Sequence, residues 1–115
     1  MMRTVSIHFQ PPADDPLKVP RPVHLHRGAS GSLAQFGGEF GRGHLLGLSS
    51  TEAAPADFTD PDQWIDVGDL FELIAETKVN TARTADFYRG WYPAVIGPDG
   101  IATSLIPVDR IEVAA

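Results

Sequence analysis

His24 and His26 are separated by one residue in an alternating stretch, so both imidazoles point to the same face of a predicted strand. Paired imidazoles in this arrangement are common in metal sites. One well-known form of such a site also needs a glutamate shortly after the histidines, and the next acid along the chain, Glu39, is thirteen residues beyond His26. Because this spacing fails, the sequence predicts no metal site and no cofactor. We expect histidines that face solvent or make hydrogen bonds.

Other residue patterns that carry chemistry are incomplete as well. The chain has no cysteine, which excludes disulfides, thiolate metal sites and thiol nucleophiles. The glycine cluster at 37–43 lacks the Lys-Ser/Thr of a phosphate loop. No serine occurs in the Gly-x-Ser-x-Gly pattern of a hydrolase nucleophile, and no two carboxylates are set apart as acid and base. We therefore expect a protein that is not an enzyme.

Charge is unevenly distributed along the chain. The net charge of −6 argues against general affinity for nucleic acid or an anionic membrane. Residues 52–77 contain no basic residue and eight acids. These acids are Glu52, Asp57, Asp60, Asp62, Asp66, Asp69, Glu72 and Glu76. The mildly basic part before them includes Lys18, Arg21 and Arg27. The acidic stretch is either a surface for electrostatic docking, within the chain or between copies, or a solvated loop.

Strands are the elements that must position these groups in the first half of the chain. Apolar and polar residues alternate from Thr4 to Phe9, and a short strand is predicted over Val23–His26. Between them, five prolines in residues 10–22 exclude a helix and predict an extended arm or a long connection. The run His44–Ser50 predicts another strand, and residues 51–63 predict a loop.

The second half combines an ambiguous segment with a clear hairpin. Residues 64–77 fit either a short helix with Asp69 as its N-cap or a strand entered through a turn at Gly68 and Asp69. Two β-rich runs around Gly97-Pro98-Asp99-Gly100 predict a hairpin, and a last strand is predicted over Arg110–Val113. The chain is therefore expected to be mostly β, with one helix at most.

The size of the chain limits its organisation and location. Its 115 residues are enough for one folded core. No apolar run reaches the roughly 20 residues that span a bilayer, and the first residues do not have the pattern of a signal peptide. We expect a soluble protein of the cytoplasm or of a virus particle. Within it, residues 1–42 hold the first strand, the arm and a glycine-rich connection, and residues 43–115 hold a small β-barrel.

The order of features in residues 43–114 resembles a Src-homology-three-type barrel. His44–Ser50 resembles the first strand, and Ile65–Ile74 resembles the Gly-Asp diverging turn and second strand. Gly90–Ile96 resembles the third strand, with a Gly-Trp-Tyr-Pro-Ala pattern that Tudor-like relatives share. Leu105–Val113 resembles the closing proline, tight helical turn and final strand. The resemblance implies a small five-stranded Src-homology-three-like barrel. The residues before it predict an extended proline-rich N-terminal arm and additional N-terminal strands.

The same resemblance implies a ligand groove between the first long loop and the loop before the Gly-Trp strand. Acidic loop residues would meet a basic ligand residue, and Trp91 would stack on prolines. The acids that correspond are Glu52, Asp57, Asp60 and Asp62. The first strand lacks the aromatic pair of the proline pockets, and Arg110-Ile111 stands where the family has a Tyr. The alternative role for Trp91 is a buried core residue.

Two functions fit the sequence. The first is a non-enzymatic structural protein whose arm packs against neighbouring subunits in a homo-oligomer or larger assembly. Phage and virus head–tail connectors, tail components and decoration proteins are often small β-domains with arms, which suggests a virion component by analogy. The second is a monomeric protein-binding module that captures a basic or proline-bearing peptide. The predicted partner-binding residues are Lys18, Arg21, Arg27, Glu52, Asp57, Asp60, Asp62 and Trp91.

Overall fold

The described strands form two antiparallel four-stranded sheets. The computed structural model of the chain describes residues 4–18, 20–27, 31–37, 45–53, 55–76, 85–97, 100–103 and 106–114. The strands of the first sheet are β1 (Thr4–Phe9), β2 (Val23–Arg27), β3 (Leu33–Gly37) and β8 (Val108–Ala114), in the order β3-β2-β1-β8. Those of the second are β4 (Leu45–Ser49), β5 (Trp64–Asp66), β6 (Tyr92–Gly97) and β7 (Gly100–Thr103), in the order β5-β4-β6-β7. The prediction of a mostly β chain is confirmed.

Strand β1 lies at the centre of the first sheet, between β2 and β8. Its alternation places Val5, Ile7 and Phe9 inward, where they are at most 4% exposed, and its polar residues outward. Val5 is opposite Leu25 on β2 and Val113 on β8. The two ends of the chain are therefore joined in one sheet.

A single hydrophobic core draws on both sheets and on the helix between β5 and β6. Its buried members are Val5, Ile7, Phe9, Val23, Leu25, Leu45, Leu48, Leu70, Phe71, Ala75, Tyr88, Trp91, Val108 and Ile111. The predicted boundary between residues 42 and 43 and the glycine cluster from Gly38 onward lie outside the described residues. No helix in the described part of the chain is long and apolar enough to cross a membrane.

The ambiguous segment after β5 is helical. Helix α1 (Val67–Phe71) continues as a π-helical segment (Glu72–Glu76) and buries Leu70 and Phe71. Its N-cap is Asp66, whose carboxylate accepts a hydrogen bond of 2.8 Å from the backbone N–H of Asp69. The predicted cap at Asp69 is wrong by three residues, because Asp66 already has the extended backbone that a cap requires.

The prediction of a five-stranded Src-homology-three-like barrel is not confirmed. The described strands form two sheets without a closed barrel, and the stretch matched to the second barrel strand is helical beyond Asp66. Strand β8 begins at Val108, where the resemblance placed a tight helical turn; the short 3-10 helix lies instead at Ala85–Tyr88. The predicted hairpin is confirmed, since β6 and β7 pair with Gly97 opposite Gly100.

The proline-rich segment connects two paired strands. Its described residues, 10–18 and 20–22, run from β1 to β2, which are antiparallel neighbours. The Gln10 N–H donates to the Pro107 carbonyl at 2.9 Å, and the Lys18 N–H donates to the Asp15 carbonyl at 3.1 Å. Of the two predicted forms, arm or connection, the structure has a connection held at both ends. We call these residues the β1–β2 loop.

Strand β3 had no clear sequence signal, and its Gln35 side chain links the two sheets. The Gln35 amide nitrogen donates to the Leu45 carbonyl at 3.0 Å, and the Leu45 N–H donates to the Gln35 amide oxygen at 2.8 Å. One side chain thus satisfies both backbone groups at the start of β4, as a neighbouring strand would.

Replacing Gln35 with Ala is expected to lower the free energy of unfolding by about 1–3 kcal/mol, because two half-buried backbone groups lose their partner. Urea unfolding measures the change. Gln10→Ala is the control, since Gln10 gives one side-chain hydrogen bond, of 3.1 Å to the Val108 carbonyl, and should cost less. Equal stability of Gln35→Ala and the parent protein would contradict this role.

Candidate protein-binding groove

The three predicted basic residues lie in different settings. Lys18 and Arg21 are exposed on the β1–β2 loop, and neither forms an ion pair within the described part of the chain. Arg27, on β2, is engaged internally: its guanidinium donates to the Gly31 carbonyl at 2.8 Å and lies 3.8 Å from the Glu72 carboxylate. The basic and acidic segments therefore meet within one chain at Arg27, whereas Lys18 and Arg21 remain on the surface.

Two of the predicted partner-binding acids organise their own loop. The Asp57 carboxylate accepts hydrogen bonds from the Thr59 N–H and hydroxyl at 2.8 and 2.6 Å, which lower the pKa of Asp57. The Asp60 carboxylate accepts from the Asp62 N–H and the Gln63 side-chain amide at 2.9 Å each. These are Asx turns, in which an aspartate side chain replaces a backbone partner. They fix the course of the loop between β4 and β5.

Of the other two predicted acids, Asp62 lies within that loop and Glu52 lies at its base. Asp62 is exposed, next to the Asp60 turn. Glu52 is held against the second sheet, where the Tyr92 hydroxyl donates to its carboxylate at 3.4 Å and the Thr103 hydroxyl donates to its carbonyl. The structure thus places the acids Asp57, Asp60 and Asp62 together and Glu52 at the loop base.

Trp91 is a core residue. It is 7% exposed, and its ring packs edge-on against Tyr88 at 4.9 Å between centroids and beside Phe87 at 5.5 Å. The Val108 N–H donates to its carbonyl at 2.8 Å. The buried alternative for Trp91 is the one that the structure shows, and its indole has little surface to offer a ligand.

A groove of about 370 Å³ opens instead between the acidic loop and helix α1. It is lined by Phe58, Thr59, Pro61, Trp64, Ile65, Asp66, Asp69, Leu73 and Tyr88. We call it the Trp64 groove. Its rings pack on one another, since Phe58 meets Trp64 edge-to-face at 4.9 Å. Phe58 is 43% exposed and Trp64 only 8%, so Phe58 supplies most of the aromatic surface that a ligand can reach. Aromatic walls with carboxylates at the rim suit an apolar chain that carries a positive charge.

The position of Trp64 depends on a glycine in the neighbouring strand. Gly47, on β4, lies opposite Asp66 on β5, and the Trp64 ring crosses the space that a side chain would occupy. A methyl group on Gly47 would lie 2.6 Å from Cζ2 of Trp64 and against the Ile65 carbonyl. The absence of a side chain at Gly47 therefore seats the indole over β4 and shapes the groove.

Two carboxylates mark the helix side of the groove. Asp66 caps α1 and Asp69 follows in its first turn, so two negative charges are close together. The charge of Asp66 raises the pKa of Asp69 above its ordinary value, and partial burial, the Asp66 hydrogen bond and the charge of Glu72 act in the same direction. A cation in the groove would relieve this repulsion.

The three described histidines, His8, His24 and His26, lie on the outer face of the first sheet. The Ser6 hydroxyl and His24 Nδ1 are 2.7 Å apart, and the Phe36 ring packs between His24 and His26 at 5.1 and 5.4 Å between centroids. His8 lies 3.3 Å from the Glu112 carboxylate. Among the described residues, no group of three or more histidines, aspartates or glutamates is placed to hold a metal ion.

No protein-family model, curated protein or solved structure matches the chain. The geometry of its surfaces is therefore the basis for proposing a function. Sequence reasoning missed Phe58, Trp64 and Gly47. The interleaving of aromatic and acidic residues in Phe58–Asp69 is the signal that would have indicated a groove here.

Gly47→Ala should displace the Trp64 ring, since the methyl group has no space between it and β5. We expect a loss of about 1–3 kcal/mol in the free energy of unfolding, as for an overpacked core. Tryptophan fluorescence should shift to the red as the ring becomes more exposed. An unchanged spectrum and unchanged stability would contradict the seating of Trp64 on Gly47.

Asp66→Asn should bring the pKa of Asp69 back toward its ordinary value, because it removes the charge that raises it most. Asparagine caps helices as well as aspartate does, so the fold should be retained, whereas Asp66→Ala should cost roughly 1 kcal/mol of stability. NMR titration of the Asp69 carboxyl measures the pKa. A value for Asp69 that does not fall in Asp66→Asn would contradict the coupling of the two carboxylates.

Proposed function

We propose that the protein is a non-enzymatic assembly protein whose subunits associate through the β1–β2 loop. The observation that carries the proposal is Leu17, which is 92% exposed near the tip of this loop. Lys18 beside it and Arg21 are also exposed, so the loop presents an apolar side chain together with positive charges. Prolines on both sides restrict the loop, which lowers the entropy lost when it docks.

The rest of the surface supplies a complementary partner for such a loop. The segment from Glu52 to Glu76 carries eight acids and no base, and Arg27 of β2 pairs with it through Glu72. A basic loop and an acidic surface on the same chain suit association between copies, since each copy then offers both halves of the contact.

Such a protein could be a component of a phage or virus particle, where small β-domains of this kind occur; this part of the proposal rests on analogy of fold alone. The likeness of residues 43–114 to a Src-homology-three-type barrel concerns only the order of features along the sequence. The proposed self-association does not depend on it. Deletion of residues 1–22 is an unsuitable test, because it removes the central strand β1.

The test is the solution mass by light scattering after size exclusion, at about 50 mM and about 500 mM NaCl. We expect an oligomer at low salt that dissociates at high salt. Lys18→Glu should give a monomer at low salt. Arg89→Glu is the matched control, because Arg89 is 69% exposed outside the loop and its reversal changes the charge equally.

A protein that is monomeric at both salt concentrations would contradict self-assembly. The second function, a monomeric module that captures a basic or proline-bearing peptide, is then favoured by the Trp64 groove. Its aromatic and acidic lining, rather than Trp91, would be the binding surface.

A further inference from the structure

No lysine or arginine is among the described residues that line the Trp64 groove. Its apolar side is formed mainly by the exposed ring of Phe58 and by Leu73, and the largely buried rings of Trp64 and Tyr88 complete its lining. On its polar side, no lysine or arginine in the described part of the chain forms an ion pair with Asp66 or Asp69. A matching ligand thus needs an apolar group for the rings and a positive charge for the carboxylates.

The β1–β2 loop carries this combination in two consecutive residues. Leu17 and Lys18 are both exposed, and the loop is turned here by the hydrogen bond from the Lys18 N–H to the Asp15 carbonyl. None of the described residues of the loop lines the groove of its own chain, since the described lining residues all lie between positions 58 and 88. The occupant with complementary charge is therefore the loop of another copy.

We infer that the Trp64 groove is the receptor for Leu17 and Lys18 of a second copy of this chain. Leu17 packs against the exposed ring of Phe58, beside the largely buried Trp64, and the Lys18 ammonium lies between the carboxylates of Asp66 and Asp69. This inference rests on the proposed self-association and names its contact. The two surfaces are different, so the contact is heterologous and joins subunits head to tail, into a ring or an open chain.

A synthetic peptide of residues 10–22 isolates this contact from the assembly. Isothermal titration calorimetry at about 50 mM NaCl should detect its binding to a Lys18→Glu protein, which the proposal makes monomeric with an intact groove. A peptide with Lys18 replaced by Gln, and one with Leu17 replaced by Ala, should each bind at least about tenfold more weakly.

Groove variants identify the receptor. Combining Asp66→Asn with Asp69→Asn removes both charges and keeps a helix cap, so we expect a folded protein that binds the peptide at least about tenfold more weakly. Combining Asp86→Asn with Glu112→Gln removes two charges outside the groove and should leave the affinity unchanged. Near-UV circular dichroism verifies that both variants are folded.

Three results would overturn the inference: no binding of the peptide, equal binding by the groove variant, or equal binding of a scrambled peptide of the same composition. If one of these occurs while the parent protein forms a salt-sensitive oligomer, self-assembly stands and another surface receives the loop. If the peptide binds as expected while the parent protein is monomeric, the groove recognises this sequence but the proposed assembly fails.

Discussion

The fold depends on β1 pairing with β2 on one side and with β8 on the other. Val5, Ile7 and Phe9 bring the inner face of this strand into the core, so β1 cannot leave without opening the sheet. The proline-rich segment that follows is for this reason a loop fixed at both ends, and not a free arm. A fixed loop loses less entropy on docking than a flexible tail, and its tip is displayed in a defined place.

The acidic half of the chain is shaped by local contacts. Asp57 and Asp60 use their carboxylates to turn the loop after β4, and Asp66 uses its own to start α1. Gly47 leaves room for the Trp64 ring between these two features. Asp57 and Asp60, which the sequence predicts as partner-binding residues, thus serve as structural groups. The surface that remains for a partner is the groove between their loop and α1.

Local patterns were sufficient to predict β1, β2, β4, the hairpin of β6 and β7, and the final strand, because alternation and turn residues are short-range signals. They were insufficient for the helix after β5, where the spacing of the apolar residues fits both a helix and a strand. They were also insufficient for β3, because its few residues do not alternate between apolar and polar. The groove needed tertiary information, since Trp64 is placed by Gly47 seventeen residues earlier. Trp91 looked like a ligand-binding residue by resemblance, yet its neighbours Tyr88 and Phe87 bury it.

The central claim is that the loop of one copy meets the groove of another, and a charge exchange across that contact tests it most directly. Lys18→Asp and Asp69→Lys chains should each be monomeric alone, since each is self-repulsive at the contact. The double variant, which carries both substitutions, should form an oligomer again in light scattering at about 50 mM NaCl. In it, positions 18 and 69 again carry opposite charges, with the signs exchanged. A double variant that stays monomeric, or single variants that still assemble, would contradict the claim.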